Sequence, residues 1–493
     1  MRNTLPTGRV SAGNHHYCGV VKESGKLGLT PRWFRINNMT RYFLLVAVIV
    51  AALAPVFGQQ SDAALRRVRE QDTISRDSSG DLQTLPAGEH LARAETYSSN
   101  RLFPEARQHW SKVFDNYPDD AGIPKALFGT ARSYMWERKY ADAVAWFEKL
   151  TKDYLNTKDG REGLAFKGAS YVRMGKNLEA AKTYEQYVTV FPQGERIESA
   201  HLNIIDAYRE AGKYEEANRW VDRTVEQFSR KPSVVNALHA RLRMEIYREN
   251  WKSAIETADG LLNGRSFVGS MAGSDEVKYL KGLSLDKSGR KQEALAVFSS
   301  IPDGFSSYYG GLAAEHVRLA GNKVESINDV SAAGYPLLYR DELLKHAKRR
   351  KIDPRFLLAI MKQESSFKAG AKSPAGARGL LQLVYDTATK YSSKAGYPDL
   401  QPDDLYQPAV NIAIGSAYVS QLKNEFGWFY EAIAASYNGG EDNAARWITR
   451  AKPPIQGVFV AEIGFAETKN YVFKVMNNYR VYRELYTEDL QRR

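Results

Sequence analysis

Between residues 87 and 320 the apolar positions recur at helical spacing, and the pattern repeats itself along the chain. Tyr97, Tyr134, Tyr171 and Tyr208 stand 37 residues apart, and Tyr247 and Leu285 continue the series at 39 and 38. Nine positions after each of the first four comes Ala106, Ala143, Ala180 or Ala217, and Ala254 and Ala294 take that part in the later units. Four residues further on stand Trp110, Phe147, Tyr184, Val221, Ala258 and Phe298. A small residue and a large one on the same helix face let paired helices nest closely. Gly175-Lys176-Asn177, Gly212-Lys213-Tyr214 and Gly289-Arg290-Lys291 read as the turns inside the pairs. About six two-helix units are predicted, stacked as a solenoid with a long concave binding surface. The aromatic series belongs to its core.

This repeat resembles the tetratricopeptide type. Downstream, Asp353-Pro354 is a helix start, with the Asp side chain accepting free N–H groups and Pro pre-set for the first turn. The helix should run towards Phe367. Leu357, Ile360 and Met361 then share a face with Glu364, which extends an apolar stripe. A carboxyl withdrawn from water favours its neutral form and donates a proton near neutral pH; a carboxyl beyond the buried turn is an ordinary solvated glutamate. Gly376 and Gly379 bracket a small-residue turn, and Gln382 sits in the apolar run Leu380-Leu381-Gln382-Leu383, where its amide needs protein or ligand partners.

Four ordered blocks carry a second resemblance: Glu364-Ser365-Ser366-Phe367, Ser373 to Gln382, Tyr437-Asn438-Gly439-Gly440, and Glu467-Thr468-Lys469-Asn470-Tyr471. They are similar to the E-S-x-F, S-x-x-G-A-x-G-L-M-Q, Y-N-A-G and E-T-x-x-Y blocks of the lysozyme-like catalytic domain of soluble lytic transglycosylases. Asn411, Gly415 and Tyr418 match the family's N-x-x-x-G-x-x-Y helix. The likeness covers about residues 335–485. Leu381 stands where the family has Met, Gly439 where it has Ala, Val384-Tyr385 where it has Met-Pro, and Ala369 where it has Pro.

The resemblance implies an all-α chain, a helical-repeat superhelix followed by a lysozyme-like catalytic domain. It also implies cleavage of the MurNAc–GlcNAc bond of peptidoglycan with closure of a 1,6-anhydro ring. Glu364 is the expected acid and base. Gln382, Tyr437, Asn438 and Glu467 match positions that line the cleft or bind substrate. Tyr437 is read as pinning the Glu364 carboxyl or as a core tyrosine; Ser373 as orienting that carboxyl or a sugar acetamide, or as capping a turn. Asp386 and Glu441 are expected to be solvated. Two alternatives stay open: a lysozyme-type hydrolase using Glu467 or a nearby Asp, and a silent scaffold that binds wall glycan.

Composition narrows the partners. The 493 residues allow two or three domains, 43% of them hydrophobic, and the single cysteine, Cys18, permits no internal disulfide. No metal or cofactor is expected. Tyr42 to Phe57 is an apolar run of 16 residues after Arg41, short of the ~20 a membrane span needs. It reads as a signal peptide cut near Gly58, or as an uncleaved anchor, with Met39 a candidate start. Export to the periplasm or cell envelope follows. Residues 1–58 hold seven Lys or Arg and one Glu, so half of the formal net charge of +12 belongs to them. The mild basic remainder suits peptidoglycan strands, with cell-envelope proteins as further partners of the repeats; no nucleic-acid motif is present. The expected organisation is an N-terminal extension and signal over 1–58, a polar linker over 59–85, repeats over 86–330 and a catalytic domain over 335–485.

Overall fold

The computed structural model describes residues 62–324 and 332–493. The expected signal peptide, the alternative start and most of the junction near residues 326–334 lie outside the described residues. Within them the regular structure is helical. A first helix, α1, spans residues 62–74. Six pairs follow: α2 (Ala87–Ser99) with α3 (Phe103–Asn116), α4 (Ile123–Trp136) with α5 (Tyr140–Asp153), α6 (Lys158–Arg173) with α7 (Asn177–Val190), α8 (Ile197–Glu210) with α9 (Tyr214–Gln227), α10 (Pro232–Tyr247) with α11 (Trp251–Leu262), and α12 (Ser274–Lys287) with α13 (Lys291–Ser299).

The small-then-large series forms the core between these pairs. Ala106, Ala143, Ala180, Ala217 and Ala254 are fully buried, and Phe147, Val221 and Ala258 lie beside them with no exposed surface. Glycines extend the device: a Cβ at Gly129 would come within 2.4 Å of the Trp110 ring, and at Gly168 or Gly282 within 2.7 Å of Tyr184 or Phe298. Each large ring therefore fits where a neighbouring helix has no side chain.

The turn inside each pair contains one left-handed residue. Gly175, Gly212 and Gly289 fill that place with φ of 71°, 71° and 82°, whereas Arg101, Arg138 and Glu249 take it at 66°, 63° and 62°. A side chain there costs about 1–2 kcal/mol, and all three use theirs against the C-terminal region. Arg101 pairs with Asp386 at 3.1 Å, Arg138 with Glu441 at 3.0 Å, and Glu249 with Lys452 at 2.9 Å. Asp386 and Glu441, expected to be solvated, are thus ion-paired.

After α14 (Tyr308–Leu319) the C-terminal region folds as α15 (Arg340–Arg350), α16 (Pro354–Ser365), α17 (Tyr385–Ala395), α18 (Pro408–Phe426), α19 (Tyr430–Gly439), α20 (Glu441–Arg450), α21 (Gln456–Glu462) and α22 (Ala466–Leu485). Residues 391–395 complete α17, and the irregular stretch that follows begins at Gly396, whose φ of 98° ends the helix. α16 and α22 pack together at the centre, with Leu357, Ile360 and Met361 fully buried. The solenoid meets this region through buried charges: Arg209 of α8 and Arg243 of α10 on Glu462 of α21, and Lys469 of α22 on Glu276 of α12 at 2.9 Å.

The expected linker over 59–85 is corrected by α1. Leu65 packs with Tyr97 and Trp110, and Asp72 is buried by Arg93, Tyr97 and His109, the last two at 2.7 and 2.9 Å. Charges that enter a core in matched pairs look, in sequence, like solvated ones. No described helix is long and apolar enough to cross a membrane.

Candidate active site

Glu364 lies in the last turn of α16. The helix starts as its sequence requires, Asp353 accepting from the Arg355 N–H at 2.9 Å with Pro354 behind it. It stops at Ser365, two residues before the expected end, because Ser366 and Phe367 are left-handed at φ 49° and 64°. Such conformations in non-glycine residues cost on the order of 1–3 kcal/mol each, and these adjoin the candidate acid. Ser365 bonds the Leu380 carbonyl at 2.8 Å and so ties the helix end to the following loop.

Burial raises the Glu364 carboxyl to about 7; the hydrogen bond from Tyr471 opposes the rise, and the Glu467 charge adds to it. The Tyr471 hydroxyl donates to Glu364 Oε1 at 2.7 Å. It is therefore Tyr471 that pins the carboxyl. Tyr437, the expected partner, donates instead to the Leu381 carbonyl at 2.6 Å and holds the loop. Its ring continues a series with Tyr418 and Tyr391, centroids 5.2 Å apart at each step. Substituting Phe for Tyr471 removes the bond that favours ionised Glu364. The pKa then moves above about 7, and the alkaline limb of any Glu364-dependent rate should shift to higher pH; an unmoved or acid-shifted limb in a pH–rate profile would contradict this.

The loop from Ala371 to Leu383 is held from three sides. Asn411 of α18 accepts from the Leu381 N–H at 2.8 Å and donates to the Arg378 and Leu405 carbonyls at 2.9 and 2.8 Å. Gly379, at φ 77°, leaves no room for a Cβ, which would lie 2.1 Å from the Leu405 oxygen. Gly415, one turn after Asn411, clears the Leu381 side chain, which a Cβ would meet at 2.3 Å. From the N-terminal side, the fully buried Arg378 bonds Asp62 at 2.9 Å and Asn100 at 2.7 Å, and Lys372 bonds the same two oxygens at 2.7 and 2.9 Å.

The remaining candidates divide. Gln382 sits at φ 44° and spends its amide N–H groups on the Ala371 and Gly379 carbonyls at 3.0 and 2.8 Å. Ser373 caps the turn, its hydroxyl oxygen accepting from the Ala377 N–H at 3.1 Å; neither carboxyl nor ligand is needed to explain it. Exposed Asn438 is oriented by the Thr468 hydroxyl, which donates to Oδ1 at 2.6 Å. Glu467 is exposed in the first turn of α22 and reaches Glu364 through its charge. Gly439 abuts Thr468 and Trp447 so closely that the family's Ala would meet them at 3.0–3.1 Å.

Tyr471, Asn411 and Arg378 lie within the matched blocks, Asn411 at the head of the N-x-x-x-G-x-x-Y helix, but were not among the expected site residues. Tyr471 closes the fourth block, and a tyrosine one turn after a motif Glu was the available signal. No group of three or more His, Cys, Asp or Glu among the described residues is arranged to hold a metal.

Comparison with known proteins gives a match to the family model described as Transglycosylase SLT domain over residues 342–456, and one to a model described as Outer membrane lipoprotein over residues 167–263. The soluble lytic murein transglycosylase of Salmonella typhimurium is 34% identical over 151 residues, 30% of this chain and 23% of that protein. The membrane-bound lytic murein transglycosylase C of Salmonella arizonae is 32% identical over 165 residues, 29% of this chain and 45% of that one. The match thus spans about a quarter of the first relative's length and under half of the second's. The crystal structure of the 70 kDa soluble lytic transglycosylase of Escherichia coli aligns over 89% of this chain and 88% of its own, with 17% identity and a TM-score of 0.47. Glu364, Gln382, Asn411 and Tyr437 all fall inside residues 342–456, and that region is accordingly recognised as similar to the transglycosylase SLT domain.

Proposed function

We propose that the chain is a peptidoglycan lytic transglycosylase of the periplasm or cell envelope, cleaving the β-1,4 bond between N-acetylmuramic acid and N-acetylglucosamine with Glu364 as its single acid and base. The observation that carries this reading is one partly buried carboxyl, raised to about 7 and fixed by Tyr471 at 2.7 Å, within a domain similar to those of proteins named lytic murein transglycosylases.

Near neutral pH such a group holds its proton for part of the time and can both give and take one. Protonated Glu364 gives its proton to the glycosidic oxygen as the bond from C1 to that oxygen breaks, and positive charge develops at C1. The carboxylate left behind takes the proton of the muramic acid C6 hydroxyl. O6 then bonds C1 and closes the anhydro ring. The nucleophile is already part of the sugar, so no water need be positioned and the effective concentration is high. Glu364 ends protonated, ready for the next bond. Gln382, Tyr437 and Asn438 hold the strand or the loop around it; Glu467, exposed at the start of α22, meets the substrate rather than the reacting atoms.

Mass spectrometry of soluble fragments from purified peptidoglycan tests this. Fragments one water lighter than lysozyme products are expected. Reducing ends would make the protein a hydrolase and direct attention to Glu467; a lack of fragments would leave a glycan-binding scaffold.

A further inference from the structure

A cavity of about 410 Å³ opens between α14, α19 and α22, within the ~300–1,000 Å³ range of small-ligand sites. Glu364 does not line it. Met476, Asn477 and Tyr479 reach it from α22, beginning about a turn and a half beyond Tyr471, so one helix serves both places.

Its lining combines flat rings with polar ends. Tyr308 and Tyr479 are buried in its walls, 8% and 6% exposed. Trp428 stands at the rim with 63% of its surface exposed, 6.1 Å from the Tyr430 ring and inclined to it by 60°. Lys423 places its ammonium 3.7 Å from the centre of the Trp428 ring. Among these rings lies the buried Glu431 carboxyl, accepting from the Tyr308 hydroxyl at 3.2 Å. Burial raises it to about 7, so it is often neutral and able to donate. Gln456, Asn477, Arg318 and Arg483 add amide and guanidinium groups.

A large aromatic left in water beside a concave, ring-walled cavity has no role in the core. An aliphatic partner would take water from the Gln456 and Asn477 amides without replacing it, while Arg318 is already paired with Glu315. Saccharides match both parts: their C–H faces lie on aromatic rings, while hydroxyl and acetamide edges bond to amides, guanidiniums and carboxyls.

We propose that this cavity is a second glycan-binding site, with Trp428 as its stacking platform, taking an N-acetylated segment of the same polymer that the Glu364 site cleaves. The proposal rests on the glycan-cleaving reading above. Its consequence is anchorage: a strand or its neighbour is held on the far part of α22 while the Glu364 site works.

The test uses the full chain carrying Glu364→Gln, with ¹⁵N-labelled tryptophan, titrated with tetra-N-acetylchitotetraose. The Trp428 indole resonance, assigned by its loss in Trp428→Phe, should shift saturably. In a separate binding assay with the same probe, Trp428→Ala should weaken binding at this second site roughly tenfold, the scale of one lost aromatic contact, while Trp428→Phe retains most of it. An indole resonance unmoved at millimolar probe overturns the proposal. Cleavage of soluble glycan by the unmodified protein separates the two readings. Cleavage with an unmoved Trp428 sinks the second site alone; a saturable Trp428 shift without cleavage supports the second site and sinks the catalytic reading.

Discussion

Glu364→Gln is expected to slow the release of soluble glycan fragments by roughly 10²–10⁴-fold, the range one positioned general acid supplies, while the helical fold is retained. The amide keeps the shape of the side chain and can still accept from Tyr471, now at 2.7 Å from Oε1, but it has no acidic proton to give. The unmodified protein should show the matching pH dependence. With its carboxyl raised to about 7 by burial, the acid form is lost as pH rises through that value, and the rate should fall on the alkaline side. Stability follows the same sign. A glutamate raised in the folded state holds its proton there more tightly than in the unfolded chain, so its contribution is fully present below the ordinary glutamate range and is lost as pH climbs through about 7. Replacing it by Gln removes that penalty, and the variant should melt no lower than the parent above pH about 7. Fragment release within tenfold of the parent would remove Glu364 from the acid role.

The solenoid was legible because its signal is local and repeated. Ala106, Ala143 and Ala180 recur at a fixed interval, and nesting requires a small residue at each. The left-handed turns were legible where they are glycine, at Gly175, Gly212 and Gly289, and hidden where Arg101, Arg138 and Glu249 take the same conformation. Their partners, Asp386, Glu441 and Lys452, lie about 200–300 residues further along the chain; no periodicity connects them. The polar stretch that holds α1 was expected to be a linker for the same reason, since nothing local to it shows that Asp62 meets Arg378 and Asp72 meets Arg93. In the site, the stripe left Glu364 open between a withdrawn and a solvated carboxyl, and it was the four ordered blocks that made it legible as the candidate acid. Which tyrosine reaches it was not: Tyr437 and Tyr471 are both motif residues, and the choice depends on how α19 and α22 pack against α16.

Glu462→Ala should be the most destabilising single change at the junction of the repeats and the C-terminal region. Glu462 is 1% exposed and accepts from Arg209 at 2.7 and 2.6 Å and from Arg243 at 2.7 Å, with Arg450 Nε 3.4 Å away. Burial alone would raise its pKa, but Arg209, Arg243 and Arg450 together hold it far below the ordinary glutamate range. Removing the carboxylate takes the anion from Arg209 and Arg243, while Arg450 keeps Glu210 at 2.8 Å, and unpairing a buried charge in this way costs about 3–5 kcal/mol. The loss should be confined at first to the contact between α8, α10 and α21. Faster hydrogen exchange there, ahead of global unfolding, is the expected signature, because a chain built of stacked repeats and a C-terminal helical region need not unfold in one step. The depressed pKa gives the effect a pH signature as well. The stabilisation is fully present above the ordinary glutamate value and is lost progressively as pH falls from there towards the folded one, so the gap between parent and variant should begin to narrow near about pH 4 and go on closing below it. A loss of less than about 1 kcal/mol would mean that the cluster behaves like a solvated surface pair, and that apolar contacts such as Tyr279 against Gly457 hold the two regions together instead.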